Sequence, residues 1–97
     1  MPTFISLGKL TDQGMKEIHR LPQGVRQTFA QAEQQGVRLV GYYVTEGRYD
    51  VVVIVEAENE RAALAGLFSA NRDGLVRTET LRAHSLDEAE GIIQDMR

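Results

Sequence analysis

The chain has 97 residues, of which 42% are hydrophobic and 26% charged, the balance of one folded domain over 1–97 and not of a disordered segment. The net charge is −3 and both signs are interspersed without a basic stripe, so a nucleic-acid partner is not expected. There is no cysteine, which excludes disulfides, thiolate metal sites and a cysteine nucleophile.

Thr3-Phe4-Ile5-Ser6-Leu7 is short, β-prone and bounded by Gly8, which predicts a first strand. Thr11-Asp12 offers helix N-cap chemistry, and Met15 and Ile18 begin a helical spacing that Pro22 and Gly24 interrupt. Val25, Phe29, Ala32 and Gly36 continue it at steps of four, three and four, with Gly36 as the stop. The region 11–35 is therefore either one kinked helix or a short helical turn followed by a longer helix. From Val37 the period changes to two. Val37 to Thr45 and Tyr49 to Ala57 read as strands, and Gly47-Arg48 between them suits a tight hairpin. That register sets Thr45 opposite Asp50, Tyr43 opposite Val52 and Tyr42 opposite Val53. Asn59 can cap a helix whose stripe is Ala63, Leu64, Leu67 and Phe68, ended by Asn71 to Gly74. Leu75 to Ala83 is a fourth strand. Ser85-Leu86-Asp87-Glu88 is a capping box, followed by Ala89, Ile92, Ile93 and Met96 on one helical face.

Strand, helix, strand, strand, helix, strand, helix is the order of a ferredoxin-like βαββαβ α+β sandwich with an extra C-terminal helix. The longest apolar run, Val51–Val55, is too short to cross a bilayer. Residues 1–10 lack the charged start and long apolar stretch of a secretory signal, so a cytoplasmic protein that does not associate with membranes is expected.

Two helices cover only one face of a four-stranded sheet, and an open second face should be polar. Here Val51, Val53 and Val55 share one face while Val52 and Ile54 take the other; Val40, Tyr42 and Val44 likewise oppose Leu39 and Tyr43. An apolar patch of that extent is rarely left in water. Either the C-terminal helix, about three turns long, folds across the second face, or two copies pack sheet to sheet. Its length favours a homodimer or a larger homo-oligomer.

The residues that could carry chemistry are few. Arg48, Tyr49 and Asp50 at the hairpin tip combine a guanidinium, a phenol and a carboxylate, which could orient an acidic or phenolic ligand. Equally, Arg48 is a solvated tip and Asp50 pairs across the hairpin with Thr45 or an arginine. Arg77 and Glu79 share a face of the fourth strand. A desolvated Glu79 could serve as a general base beside a cavity, or the two form a structural ion pair on an edge strand. Tyr42 and Tyr43 face opposite sides of their strand, where either lines a core or a pocket. His19 and His84 lack metal-ligand spacing, and no phosphate loop or serine triad context is present. No cofactor or metal is implied. The candidate ligand-binding set is therefore Arg48, Tyr49, Asp50, Arg77, Glu79 and Tyr43, for a small molecule held by a homo-oligomer. The alternative is a non-catalytic assembly or regulatory module in which these charges stabilise the oligomer.

The run 41–57, Gly-Tyr-Tyr-Val-Thr-Glu-Gly-Arg-Tyr-Asp-Val-Val-Val-Ile-Val-Glu-Ala, resembles the signature of the GYD domain family. Pro2 to Leu7 followed by Thr11-Asp12-Gln13-Gly14, and Val76 to Ala83, resemble it too, so the likeness covers roughly Pro2 to Ile93. Within the naming motif this chain has an arginine, Gly47-Arg48-Tyr49-Asp50. The resemblance implies a ferredoxin-like fold related to the dimeric α+β barrels. It implies little about activity, because that family is named for a sequence motif and has no settled biochemical role.

Overall fold

The computed structural model describes residues 1–96. Strand β1 (Thr3–Leu10) leads through α1 (Asp12–Lys16) and a 3-10 turn into α2 (Leu21–Ala32), then to the hairpin β2 (Val37–Val44) and β3 (Val51–Ala57). Helix α3 (Glu60–Arg72), β4 (Val76–Ala83) and α4 (Leu86–Gln94) complete the chain. The sheet order is β2-β3-β1-β4 with every pair antiparallel. This is the ferredoxin-like α+β fold expected from the element order.

Local chemistry accounts for most boundaries. Thr11, Asn59 and Ser85 each accept from a backbone N–H of the first turn they precede, as N-caps do. The expected capping box is formed, with Glu88 N–H on Ser85 Oγ and Ser85 N–H on the Glu88 carboxylate, both at 3.1 Å. Gly36 ends the first helical region in the left-handed conformation, φ 87°, which glycine adopts at little cost. Of the two readings of residues 11–35, the separate helices are right. Pro22 lies in the first turn of α2, where no N–H partner is needed, so that helix starts earlier than the sequence spacing suggests.

Three expectations are corrected. β1 does not stop at Gly8 but runs to Leu10, because Gly8 is a ladder residue paired with both Val51 and Thr78. A side chain there would collide with Val51 Cγ2 at 2.6 Å, so the glycine marks crowding and not a turn. The hairpin is wider than Gly47-Arg48: the strands end at Val44 and resume at Val51. The expected Thr45–Asp50 pairing holds through Thr45 N–H on Asp50 C=O at 2.8 Å, and Thr45 Oγ1 donates to Tyr49 C=O at 2.6 Å, closing the loop from inside. Finally, β2 carries a bulge between Leu39 and Gly41. The extra residue shifts parity, placing Leu39 opposite Val55 on the same face as Tyr42.

The ladder assigns the two faces. Phe4, Val51, Val53, Val55, Ala57, Val37, Leu39 and Tyr42 lie under α2 and α3; the Phe29 ring meets Tyr42 edge-on at 6.5 Å. Val37, Val51 and Ala57 are the buried apolar residues of this thin core. Ile5, Leu7, Val52, Ile54, Tyr43 and Leu81 alternate onto the other face. Among the described residues no element packs over it, so the C-terminal helix does not cover it.

Helix α4 is the outlier. It packs closely against no other element, and the molecule extends to 51 Å along its long axis while only 18 Å thick. Its stripe is open, with Leu86 81%, Ile92 57%, Ile93 60% and Met96 70% exposed. With so little packing behind it, α4 depends on its cap. Hydrogen bonds from the Ser85 backbone and then its side chain hold the Glu88 carboxyl below its ordinary value. A carboxylate with a lowered folded pKa adds stability at pH above its unfolded value, and that stability is lost as the pH falls through the folded value. Protection of α4 amides is therefore expected to be constant near neutrality and to fall below about pH 4. Glu88→Gln should remove the acid-sensitive part, whereas Ser85→Ala removes the hydroxyl cap and should weaken α4 by about 1 kcal/mol at either pH. Hydrogen exchange across residues 88–93 at pH 7 and pH 3 reads both.

Candidate functional site

The structure distributes the six candidate residues over four places. Arg48, Tyr49 and Glu79 come together. Tyr49 leaves the end of the hairpin loop and donates its hydroxyl to Glu79 Oε2 at 2.6 Å, while the Arg48 guanidinium lies 5.7 Å from the Tyr49 ring centre. Glu79 stands beside Leu7 on the open face, so this cluster forms one polar end of a surface that is apolar at its centre and carries the Arg38–Glu56 ion pair at the other end. Because the bond to Glu79 favours the protonated phenol, the Tyr49 hydroxyl is raised above its ordinary value. Burial does the same to Tyr42. In a spectrophotometric titration, Glu79→Gln is expected to bring one tyrosine back towards an ordinary phenol and leave the others unmoved. An unchanged profile would mean that the Tyr49–Glu79 bond is not held in solution.

Asp50 turns away from the cluster. Its carboxylate accepts Leu10 N–H at 2.8 Å, and its own N–H donates to Gly8 C=O at 2.8 Å. It neither pairs with an arginine nor faces a cavity; it fastens the start of β3 to the end of β1. The proposed Arg77–Glu79 pair is likewise not made. Arg77 folds over the sheet edge to donate to the carbonyls of Asn71 and Val76, at 3.1 and 3.2 Å. Both side chains found nearer partners than each other, two positions apart along a strand. Tyr43 lies flat on the open face, its ring over Gly41, where an added Cβ would sit 3.0 Å from Tyr43 Cε2. It is 59% exposed. A tyrosine folded over a strand glycine replaces the packing that the missing side chain would have given.

Two of the shallow open grooves on the described surface have volumes of about 250 Å³ each, and neither involves these six residues. The more apolar one is lined by Phe4, Ala63, Leu64 and Leu67, with Glu60 and Thr80 as its polar members. It lies between α3 and the β1–β4 side of the sheet. Among the described residues no group of three metal-ligating side chains comes together, and no helix is long and apolar enough to cross a membrane.

The sequence reading passed over a structural junction that its own motif contains. Thr11 donates Oγ1–H to Gly74 C=O at 2.6 Å and N–H to Leu75 C=O at 3.0 Å, while its hydroxyl oxygen accepts Gly14 N–H at 3.1 Å. Asn71 completes the seam, donating to Leu67 C=O and Thr78 Oγ1 and accepting Thr78 N–H. The Thr-Asp-Gln-Gly block is thus a clasp between the β1–α1 turn and the α3–β4 turn. Its polar spacing carried that signal; only the distant partner was invisible.

The chain matches the family described as GYD domain over residues 4–93. It is 37% identical over 84 residues to a protein of Thermus thermophilus named glutamine synthetase and cystathionine beta-lyase binding protein, an alignment that spans 86% of this chain and 88% of that one. No solved structure matches the chain.

Proposed function

The chain belongs to the GYD domain family, and we propose that this member is a self-assembling cytoplasmic module that binds other proteins, metabolic enzymes among them. The observation that carries the reading is the similarity to the Thermus protein named for binding two enzymes, which runs almost end to end in both chains. The structure supports a binding role through surface and not through chemistry. The fold leaves one sheet face uncovered with an apolar centre of Ile5, Leu7, Val52 and Ile54, and the charged motif residues are spent on a hairpin loop, a strand junction and an edge. Contiguous apolar surface of this kind marks interaction sites in soluble proteins. Two copies packing their open faces together make a dimeric α+β barrel, leaving the outer sides of α2 and α3 for a partner.

The test is direct binding of the full chain to purified glutamine synthetase and to purified cystathionine β-lyase from its own source, by biolayer interferometry. Saturable binding to either enzyme at micromolar concentration or tighter supports the reading. No binding to both at 100-fold higher concentration removes the enzyme-partner part of it.

The Arg48–Tyr49–Glu79 cluster favours a second reading, a small molecule held within the assembly. Sheet-to-sheet packing would roof the cluster and desolvate its carboxylate and phenol. Native mass spectrometry of protein taken directly from cells would then show a bound small mass that Glu79→Gln loses while the oligomer persists.

A further inference from the structure

We propose that α4 is an exchanged arm, seating its apolar stripe in the groove between α3 and β4 of a second copy. The inference deepens the self-assembly reading and rests on it. Two unpartnered surfaces occur on the same chain, and they match. At about 100° per residue, Leu86, Ala89, Ile92 and Ile93 occupy one third of the α4 circumference, and Met96 follows just past its end. The rest is acidic, with Asp87, Glu88, Glu90 and Asp95. The groove is the reverse. Phe4, Ala63, Leu64 and Leu67 line it, and the exposed Phe68 extends it along α3.

Its rim is basic. Arg61 and Arg72 fall on the same side of α3 as Leu64 and Phe68, within an arc of about 80°. Arg82 stands over the Phe4 ring at 5.5 Å, and Arg77 reaches the C-terminal end of α3 through Asn71 C=O. Glu60 is the one acidic residue in the lining. An acidic helix with an apolar stripe thus faces an apolar groove edged by four arginines, the complementarity that fixes the register of protein contacts.

Area argues the same way. Four strands of about eight residues present roughly 500 Å² on the open face, short of the about 800 Å² per partner of a standard interface. An arm from each copy adds contact where the sheets alone fall short. In the single chain both surfaces stand open, since α4 follows β4 through His84-Ser85 under its capping box and packs closely against no other element, α3 included. A second copy, related by a twofold axis, satisfies both arms at once.

Because the chain contains no cysteine, a disulfide trap has no background. The full-length double variant L64C/I93C replaces two exposed side chains and is oxidised at micromolar concentration. Its species are resolved on a non-reducing gel, and the linked peptides identified by mass spectrometry. Light scattering of the unmodified chain runs in parallel. A covalent dimer joined between positions 64 and 93, in at least half of the protein, is the expected result. An unmodified chain that is oligomeric, with the variant unlinked or linked only within one chain, overturns the arm while leaving assembly in place. A monomeric unmodified chain overturns both.

Discussion

Gly14→Ala is expected to be the most damaging single-methyl change in the protein, costing on the order of 3 kcal/mol. An added Cβ would lie 2.0 Å from Leu75 O and 3.0 Å from Leu75 C, so relief requires moving backbone, not turning a side chain. Moving that carbonyl breaks the bond it accepts from Thr11 N–H, and with it the seat of the Thr11 hydroxyl on Gly74. Overpacking a well-fitted site costs about 1–3 kcal/mol, occasionally more. The clasp puts Gly14 at the upper end, a large part of the about 5–15 kcal/mol that holds a domain folded. For a domain of this size the melting temperature should fall by more than 10 °C. Gly24→Ala is the control. Gly24 lies within α2 with nothing near its missing side chain, so alanine there should stabilise by about 0.5–1 kcal/mol. Thermal unfolding of both variants at one protein concentration makes the comparison. Equal behaviour would show that the turn against Leu75 is not packed in solution.

Ile54→Asp should have the largest effect on association. Ile54 sits mid-strand on the open face, opposite Ile5 on one side and Gly41 on the other. Ile54 is half-buried in the single chain, so a carboxylate there also lowers folding stability, and the variant's melt is recorded to confirm that it is folded where association is read. Between two packed sheets the carboxylate would be buried without a partner, a penalty of several kcal/mol. An effect of about 4 kcal/mol weakens self-association roughly a thousandfold. Sedimentation of the variant across a hundredfold concentration range should show dissociation at concentrations where the parent chain stays assembled. A charge on the outer side of α2, as in Gln31→Asp, should leave association unchanged.

Element order, caps and the two-faced strands were legible because they depend on neighbours in sequence. The Ser85 capping box, the Gly36 stop and the Tyr43–Val52 pairing need only local spacing and hydrogen-bonding chemistry. Gly8 misled for a physical reason: a glycine that ends a strand and one that lets another strand pass close are identical in sequence, and only the Val51 contact tells them apart. The bulge at Val40 was hidden likewise, since one inserted residue leaves the apolar alternation intact on either side of it. The candidate site was less legible. Glu79 and Tyr49 lie 30 positions apart, while Arg77, nearer in sequence, is drawn off to the end of α3. Asp50 carries a motif position, yet its carboxylate serves a backbone N–H of β1. The α4 stripe was visible as a helix face, but nothing in a linear pattern says whether such a face meets its own chain.

The central claim is that the open sheet face and α4 are interaction surfaces that a second copy covers. The mass of the unmodified chain in solution tests it most directly, by native mass spectrometry with light scattering at micromolar concentration. The account predicts a dimer or a multiple of it, built from units of 10.8 kDa. A 10.8 kDa species that persists as the concentration is raised would contradict it.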